Sequence, residues 1–187
     1  PKNLVPMWED YVYRYRLQAK VLSLSRVITE LPEKTRRYRV VLVDESHNLR
    51  NKEGKRYKVI RDYIEHNDSL CILLSATPYN KTYLDLSSQL SLFLSEDADI
   101  GIRPEKLISA LGGEHEFVRK HQCPVRSLAA FEKSEDTDDW RDLMRLYMVR
   151  RTRGFIMQHY AKTDERGKYL LFADGTKSYF PKRVPKS

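Results

Sequence analysis

Apolar and polar positions along this chain follow two distinct periods. Residues 40–43 (Val40, Val41, Leu42, Val43) and residues 70–74 (Leu70, Cys71, Ile72, Leu73, Leu74) are unbroken apolar runs. The first, with three β-branched residues in four, predicts a strand buried on both faces; the second predicts a further sheet strand. Between them, Val59, Ile60, Tyr63 and Ile64 recur at helical spacing, with Lys55, Arg56, Lys58 and Arg61 on the other side. That spacing predicts an amphipathic helix over residues 55–67. Helices are also predicted over residues 4–16, from Trp8, Tyr11, Val12 and Tyr15, and over residues 82–94, from Leu86, Leu90, Phe93 and Leu94. The second opens on a Thr82/Asp85 pair resembling a capping box. Residues 19–25 predict a strand, and residues 26–31 a short helix ended near Pro32. Strands alternating with helices argue for a parallel sheet.

The pattern weakens after residue 94. Residues 95–135 read as irregular, with Gly112-Gly113 and one short helix near residues 104–111. Residues 138–158 predict a single long helix, with Trp140, Leu143, Met144, Tyr147 and Met148 on one core-facing stripe. Residues 169–172 and 178–180 flank Asp174-Gly175, a hairpin signal.

Each apolar run ends in a polar tetrapeptide. Asp44-Glu45-Ser46-His47 follows the first, and Ser75-Ala76-Thr77-Pro78 follows the second. The C-terminal ends of parallel strands are where α/β sheets bind ligands. There Asp44 can hold a hard cation such as Mg²⁺, directly or through water. Glu45 can polarise a water, and Ser75 and Thr77 can exchange hydrogen bonds with His47. An Asp-Glu pair after one strand is commonly a helix cap or a solvated turn. Two signals in this order, each at a strand end, point instead to chemistry.

At these residues the chain resembles a known family. Residues 44–47, DESH, resemble the DExH box of superfamily 2 helicases. Residues 73–80, LLSATPYN, resemble their third motif in the T-P-x-N form of Swi/Snf-type translocases. Residues 1–8 resemble P-x-x-L-V-x-x-W of motif Ia, and residues 21–26 stand where motif Ib is expected. Residues 48–51 (NLRN) resemble the tail that follows the DExH box, and residues 148–152 (MVRRT) the M-L-R-R-T segment late in lobe 1. Residues 182–185 are similar to the start of a link to lobe 2. Residues 95–135 match nothing in the pattern. Ser46 stands where the family usually has Gly or Ala, and Ala76 gives A-T-P where Swi/Snf members read G-T-P. These departures leave open a remodelling-type motor and a more general bacterial or viral helicase.

The resemblance implies an α/β fold: a partial RecA-like (P-loop NTPase) parallel sheet flanked by helices, with a C-terminal helical segment and a β-hairpin. It implies a core part of lobe 1 at residues 1–94, a helical extension at 95–158, and a hairpin with the start of a linker at 159–187. It implies an ATP hydrolase acting with Mg²⁺ and moving on DNA, with RNA not excluded. Asp44, Glu45 and His47 would be catalytic, Asp44 holding Mg²⁺ with the nucleotide. Ser75, Thr77 and Asn80 would couple hydrolysis to movement. Lys2, Asn3, Ser25, Arg26, Arg150 and Arg151 would face nucleic acid.

A phosphate-cradling loop reads G-x-x-x-x-G-K-[ST]. Gly54-Lys55 and Gly167-Lys168 are followed by Arg56 and Tyr169 and preceded, five residues back, by Leu49 and Lys162. Neither is such a loop. The resemblance therefore implies a fragment, with a Walker A segment upstream and a second RecA-like lobe downstream. Alone, it is expected to hydrolyse no ATP and to self-associate through the exposed edge of the second strand. The alternative is a non-catalytic nucleic-acid-binding or scaffold module derived from a helicase lobe.

Charge agrees with a polyanion partner. The 187 residues hold 34 Lys and Arg against 26 Asp and Glu, a formal net charge of +8. Basic residues cluster at 34–39, 50–58, 150–153 and 182–183, and residues 132–142 are acidic. Cys71 and Cys123 are poorly placed for a disulfide, which fits a reducing compartment and a cytoplasmic, nucleoid or nuclear protein. His115, His121 and Cys123 lack a fourth ligand at zinc spacing. No apolar stretch approaches the ~20 residues of a membrane helix.

Overall fold

The computed structural model describes residues 2–31, 37–80, 82–172 and 174–180. The expectations for Pro1, for the basic residues at 34–36 and for residues 182–185 lie outside this set. The chain divides into two compact units, Pro1–Leu143 and Met144–Ser187.

The first unit opens with a 3-10 turn, Lys2–Leu4, and helix α1 (Val5–Arg14), which has proline in its first turn. Residues 19–25 form no strand. Leu22 and Leu24 pack on the core, but Ser23 and Ser25 join their hydroxyls at 2.9 Å, and no neighbouring strand pairs with the segment among the described residues. Helix α2 (Val27–Glu30) leads toward β1 (Val40–Asp44). A 3-10 turn, Ser46–Leu49, and helix α3 (Lys55–Asn67) cross to β2 (Leu70–Leu74). Helix α3 has the predicted limits. Asn51 Oδ1 accepts from the Glu53 amide ahead of it, and Asp68 ends it in the left-handed conformation at φ 50°.

β1 and β2 pair in parallel, from Val40 opposite Leu70 to Asp44 opposite Leu74. Their core face joins Val43 to Leu49, Tyr57, Ile60, Ile64, Val27 and Leu92, with Val41, Cys71 and Leu73 packed alongside. Burial pushes the Cys71 thiol up to about 11, so it stays protonated at neutral pH. The other face is bare: Val40, Leu42, Leu70, Ile72 and Leu74 are all exposed, Leu70 at 72%. β1 is therefore covered on one face instead of two, because α2 and α3 lie on the same side.

Helix α4 (Leu84–Leu90) is shorter than predicted, and its N-cap is Tyr83 with no side-chain cap. Residues 95–135 are more regular than their sequence suggested. They form α5 (Glu105–Ala110), α6 (Glu114–His121) and α7 (Leu128–Phe131) around Ile108, Phe117 and Ala130. Asp139, in α8 (Thr137–Tyr147), is buried and accepts from the Lys106 and Leu107 amides at 2.9 and 3.1 Å. It thereby satisfies open amides at the start of α5. Lys52, in the turn before α3, donates to Glu96 and to Glu132 at the end of α7, at 2.9 Å each. Burial alone would lower its pKa, but the two carboxylates outweigh burial and leave it raised.

The second unit holds α9 (Arg153–His159) and an antiparallel sheet of β3 (Lys162–Asp164), β4 (Gly167–Leu171) and β5 (Lys177–Tyr179). The single helix predicted over 138–158 is two helices. Thr152 interrupts it as N-cap of α9, its Oγ1 accepting from the Phe155 amide at 3.1 Å. The β4–β5 hairpin turns at Asp174-Gly175 as predicted, with Gly175 at φ 83°. Hydrogen bonds from Lys177 and Tyr179, both 2.8 Å, hold the Asp164 carboxyl down at about 2.

Candidate functional site

Parallel register decides where the two tetrapeptides meet. Asp44 pairs with Leu74, so both strands release their polar residues at one end of the sheet. Glu45 follows in the left-handed conformation, φ 53° and ψ 47°, at a cost of roughly 1–2 kcal/mol for a residue with a Cβ. Its carbonyl is held there by the Asn48 amide and by Asn48 Nδ2, both at 3.0 Å. The turn sends His47 back across the strand ends. His47 Nδ1 lies 3.1 Å from Glu45 Oε2 and 3.4 Å from Ser75 Oγ. One ring nitrogen faces both groups. With a proton it donates to the carboxylate; without one it accepts from the serine. Ser75 Oγ in turn accepts from the Thr77 amide at 3.1 Å.

Both Asp44 oxygens have a donor. The Glu45 amide reaches Oδ1 at 2.9 Å, and the Trp8 indole on α1 reaches Oδ2 at 3.0 Å. A carboxylate keeps lone pairs beyond these two bonds. Among the described residues no three His, Cys, Asp or Glu gather around a common point. A single carboxylate of this kind fits Mg²⁺ that brings phosphate oxygens and waters with it, not a cation caged by protein.

The loop after β2 is held by neighbouring elements. Arg50 Nη2 donates to the Thr77 carbonyl at 2.5 Å, and the Asn80 amide donates to Asp85 Oδ2 at 3.0 Å. Gln89 donates to the carbonyl of Pro78 and accepts from Ser46 Oγ at 2.7 Å. Sequence reasoning places Asn48 and Arg50 only in the tail motif at residues 48–51, and Asp85 only in a helix cap; it misses Gln89. Gln89 carried one signal, a lone amide among the leucines and serines of α4.

Of the other candidates, Lys2 and Asn3 are exposed in the first 3-10 turn, and Ser25 and Arg26 are exposed ahead of α2. Arg26 pairs with Glu30. Arg150 and Arg151 belong to the second unit, Arg151 with its guanidinium 5.1 Å from the centre of the Phe155 ring. The structure thus brings Asp44, Glu45, His47, Ser75 and Thr77 together at one end of the first unit's sheet.

Comparison with known proteins agrees with the motifs. The chain is 28% identical over 132 residues to a Bacillus subtilis (strain 168) protein named uncharacterized ATP-dependent helicase YqhH. The alignment takes in 70% of this chain and 20% of that protein, so the chain spans about a fifth of the length of that relative. No solved structure matches. The model of the SNF2-related domain matches residues 15–186, and the chain belongs to that family.

Proposed function

We propose that this chain carries the DExH-type carboxylates and coupling hydroxyls of an ATP-driven helicase or translocase that moves on nucleic acid, DNA first and RNA also open. The observation that carries this reading is His47 Nδ1 standing between Glu45 Oε2 and Ser75 Oγ. It links the end of one parallel strand to the end of the next. In this reading β1 and β2 are strands of a RecA-like sheet. Residues 1–94 are the core of a lobe, 95–158 its helical extension, and 159–187 a hairpin and the start of a link onward. A nucleic-acid partner would put the protein in the cytoplasm, nucleoid or nucleus. No helix among the described residues is long and apolar enough to cross a membrane.

Asp44 would hold Mg²⁺ together with ATP, and the ion would neutralise charge on the phosphates. Glu45 orients the attacking water from its place beside Asp44. His47 links the position of Glu45 to Ser75, whose hydroxyl accepts from the Thr77 amide. The loop to Asn80 then carries that change toward the nucleic acid.

Lys2, Asn3, Ser25, Arg26, Arg150 and Arg151 supply phosphate contacts in this account. Binding of labelled duplex DNA by the full-length protein is expected to weaken steeply with salt, because each neutralised phosphate releases counterions. Removing Arg26 or Arg150 should lower the log–log salt slope by about one. Anisotropy titrations across salt concentrations check this, and salt-independent binding would contradict it.

The isolated chain is expected to behave differently from its parent. Its 187 residues contain no G-x-x-x-x-G-K-[ST] loop, so alone it should hydrolyse no ATP. Its bare sheet face, and strand edges that pair with no further strand among the described residues, invite pairing with a second chain. Light scattering should report a mass above 22.2 kDa, and Ile72→Lys should reduce it. A clean 22.2 kDa monomer would contradict the expectation.

A further inference from the structure

Ser46 is the one residue of the first tetrapeptide without an assigned role, and it is only 1% exposed. Its Oγ donates to Gln89 Oε1 at 2.7 Å. Gln89, 3% exposed, uses its other end on two carbonyls: it donates to Pro78 and, at 3.0 Å, to Asp85 one turn back in α4. The direction of the amide follows from these partners. A hydroxyl can donate to the Oε1 side, and two carbonyls can accept only from the Nε2 side. Both ends of this buried amide are therefore used, and they tie the turn after β1 to the loop after β2 and to α4 itself.

A leucine at position 89 would fill the same interior without a buried amide to satisfy. The amide instead joins the turn after β1 to the loop after β2 by a route separate from His47 and Ser75. Arg50 and Asp85 run beside it. Arg50 holds the Thr77 carbonyl, Asp85 holds the Asn80 amide, and Arg50 Nε lies 3.5 Å from Asp85 Oδ2. The backbone from Thr77 to Asn80 is thus gripped at three polar groups, by Arg50 just after the 3-10 turn and by Asp85 and Gln89 of α4.

We propose that Ser46 and Gln89 form a relay of positioning residues that transmits movement of the DESH turn to the loop of residues 76–80. A shift of the turn moves the Ser46 hydroxyl, which pulls on Gln89 and so on the Pro78 carbonyl. The coupling role rests on the motor reading above; the mechanical link does not.

The test compares the full-length protein with its Ser46→Ala, Gln89→Leu and double variants. Hydrogen exchange of peptides covering residues 76–80 is expected to quicken about tenfold in each single variant, with residues 70–74 unchanged. The ratio of ATP turnover with DNA to turnover without it is expected to fall severalfold in each single variant. The double variant should match the more affected single one, because both substitutions cut one chain of bonds. Unchanged exchange over residues 76–80, or effects on the ratio that multiply, would overturn the relay. Exchange that quickens throughout the protein would show a lost core instead; Gln89→Met, of similar length, is then the deciding variant, and a local change there supports the relay while another global change overturns it. Absence of any ATP turnover in the unmodified protein would overturn the motor reading and the coupling role with it, while exchange over residues 76–80 would still decide the link.

Discussion

Replacing Glu45 with glutamine in the full-length protein will slow ATP turnover by about 10²–10⁴-fold and leave nucleotide binding in place. The amide keeps the size of the side chain and its reach toward His47 Nδ1, 3.1 Å away. It loses the charge that orients and deprotonates water. The change also reaches the second strand. An amide at position 45 can donate to Nδ1 as well as accept from it, so the contact that Nδ1 makes with Ser75 at 3.4 Å meets a different competitor. Coupling should suffer along with chemistry. Nucleotide affinity and turnover measured on the same preparation check both halves. Near-normal turnover would remove Glu45 from its assigned place.

Trp140→Ala is expected to have the largest effect on stability. The indole is 1% exposed, stacks on Tyr83 with ring centres 5.2 Å apart, and meets Phe131 edge-on at 6.3 Å. Truncating a buried aromatic of this size costs about 3–5 kcal/mol. The Ser134 carbonyl, which accepts from the indole nitrogen at 2.7 Å, would be left without that donor, adding roughly 1–3 kcal/mol. Whole domains are stable by only about 5–15 kcal/mol, so much of the margin would go. Chemical denaturation of the two proteins measures the difference. A loss below about 1 kcal/mol would mean that Trp140 is not the packing centre the structure makes it.

The parts of this fold readable from sequence are those whose signals are local. Helix α3 was legible at both ends because its apolar stripe and its limits lie within residues 55–67. The Asp174-Gly175 turn was legible because a hairpin needs φ above zero at such a site, and Gly175 supplies it. The two strand ends were legible because apolar runs stop abruptly at Asp44 and Ser75. Elements that depend on distant partners were not legible. Helix α5 is capped by Asp139, more than thirty residues away. Residues 19–25 have strand-like residues but no partner strand among the described residues. The break between α8 and α9 had a local signal in Thr152, which the apolar stripe of residues 138–158 outweighed.

The site divides in the same way. Asp44, Glu45, His47, Ser75 and Thr77 were named from their order along the chain, and the parallel register brings them to one end of the sheet. Trp8, Arg50 and Gln89 complete the surroundings through contacts that join distant segments. Spacing along one sequence does not encode such contacts.

The central claim is that these residues serve a motor driven by ATP on nucleic acid. It is tested most directly by ATP turnover of the full-length protein, measured with and without duplex DNA and with RNA as a second polymer. The account predicts turnover that rises severalfold or more with nucleic acid and collapses in the Glu45→Gln variant. Turnover that ignores both polymers, or none at all in a folded protein that binds DNA, would contradict it and leave a binding module in its place.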